Sequence, residues 1–119
     1  MKDFRTLKVW QKAHQFALAV YKTTKDFPRE ELYGLTSQIR RSSMSIPTNI
    51  AEGSGRFTDK DFARFLQISM GSASEAEYQL LLARDLGFMD DDHYTTLHNQ
   101  VEEIKRILAS FLKTLRRKN

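Results

Sequence analysis

Apolar residues recur at three- and four-residue intervals along four stretches of this chain, the spacing that lines one face of an α-helix. The first stretch predicts a helix from about Phe4 or Leu7 to Lys25, with Thr6 as a candidate cap. It carries two adjoining stripes, Leu7, Trp10, Ala17, Tyr21 and Val9, Ala13, Phe16, Val20, which together make a wider arc than one groove of a small bundle requires. Two readings stay open. Val9, Trp10, Ala13, Phe16 and Val20 present a second buried surface to another copy of the chain, or the aromatics fill a broad core within one copy.

Asp26, Phe27 and Pro28 end that helix, since proline disfavours helical geometry in the residue before it and suits the first turn of the next. Leu32, Leu35, Ile39, Ile46 and Ile50 define the second helix, with small Ser42 and Ser43 inside the stripe where a neighbour can approach closely. Pro47 interrupts the pattern and removes the amide that would bond the Ser43 carbonyl, so a kink or an early end is expected, with the turn complete by Gly53. Gly53 to Phe57 reads as a loop, and Thr58 followed by Asp61 resembles a capping box that opens helix three. Phe62, Phe65, Leu66, Ser69, Ala73, Ala76, Leu80 and Ala83 form its inner face, Gly71 to Ser74 are a thin region, and Gly87 stops it. Asp90, Asp91 and Asp92 precede the fourth helix, whose seam is Tyr94, Leu97, Val101, Ile104, Leu108, Phe111 and Leu115. Short connections between four such helices predict an all-α, antiparallel up-down-up-down four-helix bundle. The length, 119 residues, suits one domain spanning 1–119.

Composition agrees with a folded helical protein: 40% of residues are hydrophobic and 29% charged, with five Gly and two Pro. The absence of cysteine excludes disulfides and thiolate metal sites and fits a reducing compartment. Residues 1–10 show no apolar core of a signal peptide and no run reaches transmembrane length, so the cytoplasm is the expected location, with no membrane partner.

The formal charge of +4 gains meaning once it is mapped onto the bundle. In an up-down topology the start of helix one, the turn between helices two and three and the end of helix four share one end. Lys2, Arg5, Lys8, Arg56, Lys60, Arg64, Lys113, Arg116, Arg117 and Lys118 would gather there, against Asp3, Glu52, Asp59 and Asp61. Such an end attracts phosphates, which makes nucleic acid the candidate ligand. The alternative is that basic residues in the last turn of helix four complement its dipole and form a solvated terminus.

Other chemistry finds little support. The Gly53 to Arg56 loop lacks the spacing and the Gly-Lys-Ser/Thr ending of a phosphate-binding loop and reads as a turn. Asp90 to Asp92 read as N-capping, not as a divalent site. His14, His93 and His98 show no metal-ligand spacing, and no nucleophile, base and orienting acid can be assembled, so neither a metal, a cofactor nor an enzyme is expected. Gly34, Gln38, Arg41, Ser45, Asn49 and Glu52 share a polar face of helix two, read as structural or oligomer-specifying, with Arg40 or Arg41 placed to pair with Glu75.

Glu31-Leu32-Tyr33-Gly34-Leu35, Gln38-Ile39-Arg40-Arg41 and Ser45-Ile46-Pro47-Thr48-Asn49-Ile50-Ala51-Glu52-Gly53 follow Phe27-Pro28 in a string with Gly71-Ser72 and Glu75 further on. This string closely resembles the four-helix-bundle family first named from proteins encoded in intervening sequences of large-subunit ribosomal RNA genes, and the resemblance spans the chain. Ser42, Ser43 and Ser69 depart from the alanines the family pattern leads one to expect. The resemblance implies a homopentamer. The chain is similar also to the accessory protein of diversity-generating retroelements, which implies RNA or another nucleic acid, or a protein such as a reverse transcriptase, as partner. A homo-oligomer that binds RNA electrostatically is thus the expected function, with an oligomeric protein adaptor as the alternative.

Overall fold

The computed structural model describes residues 2–117, so the expectation for Lys118 lies outside the described residues. Among these residues there are four α-helices and no strand: α1 (Lys8–Thr24), α2 (Leu35–Ser54), α3 (Asp59–Asp85) and α4 (Asp91–Arg117). Short 3₁₀ turns at Phe4–Thr6 and Arg29–Glu31 precede α1 and α2.

Each helix begins and ends for a local reason. The expected cap at Thr6 is corrected: Leu7 occupies the N-cap of α1 and offers no side-chain bond, while the Thr6 hydroxyl donates backward to the Asp3 carbonyl at 2.7 Å. Helix two starts later than Pro28 suggests, at Leu35, because the Glu31 carboxylate accepts from the Leu35 amide at 3.0 Å and caps it from four residues back. Leu32 therefore lies outside the buried stripe and is exposed. Thr58 caps α3 by accepting from the Asp61 amide at 3.1 Å. Gly87, at φ 79°, ends it as the left-handed residue of a Schellman turn, with the Phe88 amide donating to Ala83 O and the Gly87 amide to Arg84 O, both at 2.9 Å. Asp90 opens α4 by accepting from the His93 amide at 2.7 Å.

Pro47 does not end α2, which runs on to Ser54, so of the kink or early end expected there the early end is corrected. The carbonyl that loses its amide donor is that of Ser43; on the turns beside it Thr48 Oγ1 donates to Met44 O at 2.8 Å and Asn49 Nδ2 to Ser45 O at 2.9 Å. The proline ring itself is buried.

One core joins the four helices, including Phe16, Ile39, Ile46, Ile50, Leu66, Leu80, Val101, Ile104, Leu108 and Leu115, each at most 1% exposed. Residues along α2 meet residues of α3 in opposite order, Arg41 with Glu75, Ser45 with Ser72 and Ile46 with Ser69. The α3–α4 contacts run the same way, from Phe62 with Phe111 to Arg84 with Tyr94. The second stripe of α1 requires a correction: Val9, Ala13, Phe16 and Val20 lie in this core, at most 2% exposed, and are not open to a second copy. The wide arc of α1 exists because α2 and α4 both pack against it. Of the five proposed interface residues only Trp10 keeps partial exposure.

Candidate nucleic-acid interface

The N-terminal segment is pinned to the α2–α3 turn, since the Lys2 amide donates to Ser54 O at 2.8 Å. Phe62, in the first turn of α3, packs edge to face on Phe111 of α4 at 5.2 Å between ring centroids. Lys8 and Val9 share a surface groove with Ser110, Phe111 and Thr114. These contacts bring the start of α1, residues 55–58 and the last turns of α4 to one end of a molecule 46 Å long. At the other end Phe27 and Phe88 meet at 5.7 Å and tie the α1–α2 connection to the α3–α4 connection.

Nine basic side chains, Lys2, Arg5, Lys8, Arg56, Lys60, Arg64, Lys113, Arg116 and Arg117, therefore stand at the first end. Three are partly neutralised: Arg5 by Asp3 at 3.1 Å, Arg56 by Glu52 at 3.3 Å and Arg64 by Asp61 at 3.9 Å. Hydrogen bonds from the Arg5 side chain and amide hold the Asp3 carboxyl below its ordinary range. Lys2, Lys8, Lys60, Lys113, Arg116 and Arg117 are exposed and have no carboxylate within ion-pair distance among the described residues. The guanidinium groups of Arg56 and Arg64 lie 4.6 and 4.7 Å from the Phe65 ring centroid, which orders both. Beside them the ring of Phe57 projects from the turn, 87% exposed.

The motif residues of α2 and α3 form a different surface, a polar seam that fixes the register of the two helices. Gln38 Oε1 accepts from Arg41, Arg41 pairs with Glu75, Glu75 accepts from Gln79 at 3.3 Å, and Gln79 accepts from buried Ser42 at 2.5 Å. Ser45 and Ser72 share a hydrogen bond at 2.9 Å, and Asn49 Nδ2 donates to Ser45 Oγ at 3.0 Å. Arg40 faces the other way, donating to Thr24 Oγ1 at 2.8 Å with its guanidinium over Tyr21. Pro47 and Gly53 are buried in the helix contacts; a Cβ on Gly53 would fall 2.7 Å from that of Phe65. Glu31 and Gly34 act together, because a Cβ at Gly34 would stand 2.8 Å from the carboxylate oxygen that caps α2. Gly71, by contrast, has open space where its Cβ would be.

Two features escape sequence reasoning. An apolar groove of about 670 Å³ runs between α1 and α2, with Trp10, His14, Leu18, Tyr21 and Met44 on its walls. Trp10 stacks on His14 at 4.9 Å. Its signal in the sequence was the first stripe of α1, but only packing shows which stripe stays outside. The second feature is Glu77, His98 and Glu102, whose ligand-type atoms lie within 4.8 Å of one another, so His98 has neighbours that its own spacing to His93 did not suggest. The i,i+4 spacing of His98 and Glu102 was legible, but Glu77 arrives from α3. Each imidazole nitrogen faces a different carboxylate, Nδ1 towards Glu77 at 3.7 Å and Nε2 towards Glu102 at 3.6 Å, and Lys105 already holds Glu77 at 2.9 Å. Both separations from the imidazole are longer than a hydrogen bond, and Nδ1 is buried without a hydrogen-bond partner among the described residues, whereas a metal would need both carboxylates on one nitrogen's side.

The model of the family described as 23S rRNA-intervening sequence protein matches residues 5–110. A solved structure similar to this chain is a protein of unknown function from the S23 ribosomal protein family of Bacteroides thetaiotaomicron. The two are 30% identical, with a TM-score of 0.80, over 88% of this chain and 98% of that one. Among curated proteins none matches the chain.

Proposed function

We propose, from the premise that this chain belongs to the family of 23S rRNA-intervening sequence proteins, a non-enzymatic homo-oligomer that binds RNA electrostatically through the basic end of its bundle. The observation that carries the reading is the convergence of three separate chain segments, each bringing unpaired lysine or arginine, at one end. The bundle is taken as up-down-up-down, in support of which the paired residues of α2 with α3 and of α3 with α4 run in opposite order. Self-association uses the α1–α2 groove, where Leu18, Tyr21 and Met44 are at least 40% exposed; the number of copies is five by family resemblance. The location is cytoplasmic, and no helix of the described residues is long and apolar enough to cross a membrane.

Among the described residues no element presents a row of base-reading side chains, so binding depends on phosphate neutralisation and is weakly sequence-specific. Titration of a labelled RNA at increasing salt tests the reading. With about five phosphates neutralised, the affinity should fall with a log–log slope of about −3 to −4. Replacement of Lys60, Lys113 and Arg116 by glutamate should remove binding without changing the helical signal. Absence of binding at low salt, or an affinity indifferent to salt, overturns it. A second reading, an adaptor for another protein such as a reverse transcriptase, draws on the same apolar groove; capture of one protein that survives nuclease would favour it.

A further inference from the structure

Phosphate attraction alone leaves Phe57 unexplained. At 87% exposure the ring contributes little to the packing of the core. Its backbone is nevertheless held on both sides. The Gly55 amide donates to Glu52 O at 3.3 Å and the Arg56 amide to Gly53 O at 3.0 Å, while Thr58 is committed to capping α3. The ring is thus presented on a turn with basic neighbours along the chain: Arg56, which also pairs with Glu52, precedes it, Lys60 follows three residues on beside Asp59, and the Lys2 amide is tied to Ser54.

We infer that Phe57 is a stacking platform for an unpaired nucleobase, and that Arg56 and Lys60 hold the phosphates on either side of that base. The inference rests on the reading of the basic end as an RNA surface and names what that surface selects. An apolar protein patch fits the ring but would strip water from the surrounding ammonium and guanidinium groups without replacing it. A nucleotide supplies both complements, a flat π face for the ring and an anion for its neighbours. In a duplex the base faces are covered by their own stack, so an aromatic on a rigid turn reaches only bases in single strands, loops or bulges. The surface therefore prefers unpaired RNA over double-stranded RNA, with a preference set by Phe57 and not by charge.

The test is a comparison of two labelled probes, an unstructured RNA oligonucleotide and the same sequence annealed into a duplex, on the full chain and on Phe57→Ala, Phe57→Tyr and Phe57→Leu. Phe57→Ala should weaken single-strand binding about tenfold and leave duplex binding unchanged. Phe57→Tyr should keep the wild-type affinity, and Phe57→Leu, apolar but without a π face, should behave as alanine. Unchanged single-strand affinity in Phe57→Ala, or equal losses on both probes, overturns the stacking role while the electrostatic reading stands. Failure of wild-type protein to bind either probe at low salt removes the electrostatic reading and this inference with it. A change in oligomeric mass on Phe57→Ala, measured by light scattering without RNA, would make the ring a contact between copies and likewise overturn the inference.

Discussion

Gly53 and Gly71 should respond with opposite signs to the same substitution, alanine. Both sit inside helices, where glycine costs about 1 kcal/mol relative to alanine. At Gly71 a Cβ would meet nothing within 4 Å, so Gly71→Ala should recover most of that amount. At Gly53 the new carbon would stand 2.7 Å from Phe65 Cβ, 2.9 Å from Phe62 Cδ1 and 3.3 Å from the Phe62 carbonyl oxygen. Two of those three atoms are fixed to the α3 backbone, so α2 and α3 must separate by several tenths of an ångström. Overpacking of this kind costs about 1–3 kcal/mol, and the propensity gain is smaller in the last turn of a helix, which leaves a net loss of about 2 kcal/mol. With about 2.1 cal/mol/K of unfolding entropy per residue, 1 kcal/mol moves the midpoint of this 119-residue chain by about 4 °C. Thermal melts followed by circular dichroism should show Gly71→Ala about 3–4 °C above wild type and Gly53→Ala about 8 °C below it. Equal signs would refute the reasoning. Destabilisation by Gly71→Ala in particular would mean that another surface covers this part of α3.

Two further outcomes follow from the hydrogen bonds. Ser42→Ala removes the donor to the Gln79 carbonyl oxygen in a buried site and should cost about 1–2 kcal/mol in urea unfolding, while the double change with Gln79→Leu should recover most of it; a neutral single variant would show that the bond carries no stability. The Asp90 carboxyl is held below its ordinary range, first by the His93 amide and then by the His93 side chain, so its ionised form favours the folded state. Its contribution is present above the unfolded carboxyl range and lost as pH falls through the lower folded value. Asp90→Ala should thus melt lower than wild type at neutral pH and converge with it in acid; a gap that widens in acid would contradict the capping role.

The sequence alone determined the number of helices, most of their inner faces and their caps at Thr58 and Gly87, because helical periodicity and capping chemistry are local. It also marked the basic residues at three separate places along the chain and the α2 seam that includes Arg41 and Glu75. Tertiary structure decided what periodicity cannot express. It placed Val9, Ala13, Phe16 and Val20 in the core and left Trp10, Leu18 and Tyr21 outside, since which of two stripes is covered depends on where α2 and α4 lie. Pro47 stayed buried within α2, which runs on to Ser54, a result that a rule about proline alone does not give. Buried Ser42, Ser43 and Ser69 are tolerated because each finds an acceptor within reach, two of them across to another helix. Glu77 reached His98 only through the packing of α3 on α4, and Lys2 reached the α2–α3 turn only through the bond of its amide to Ser54. Local chemistry fixes where a helix starts and stops, whereas exposure and proximity belong to the assembled helices.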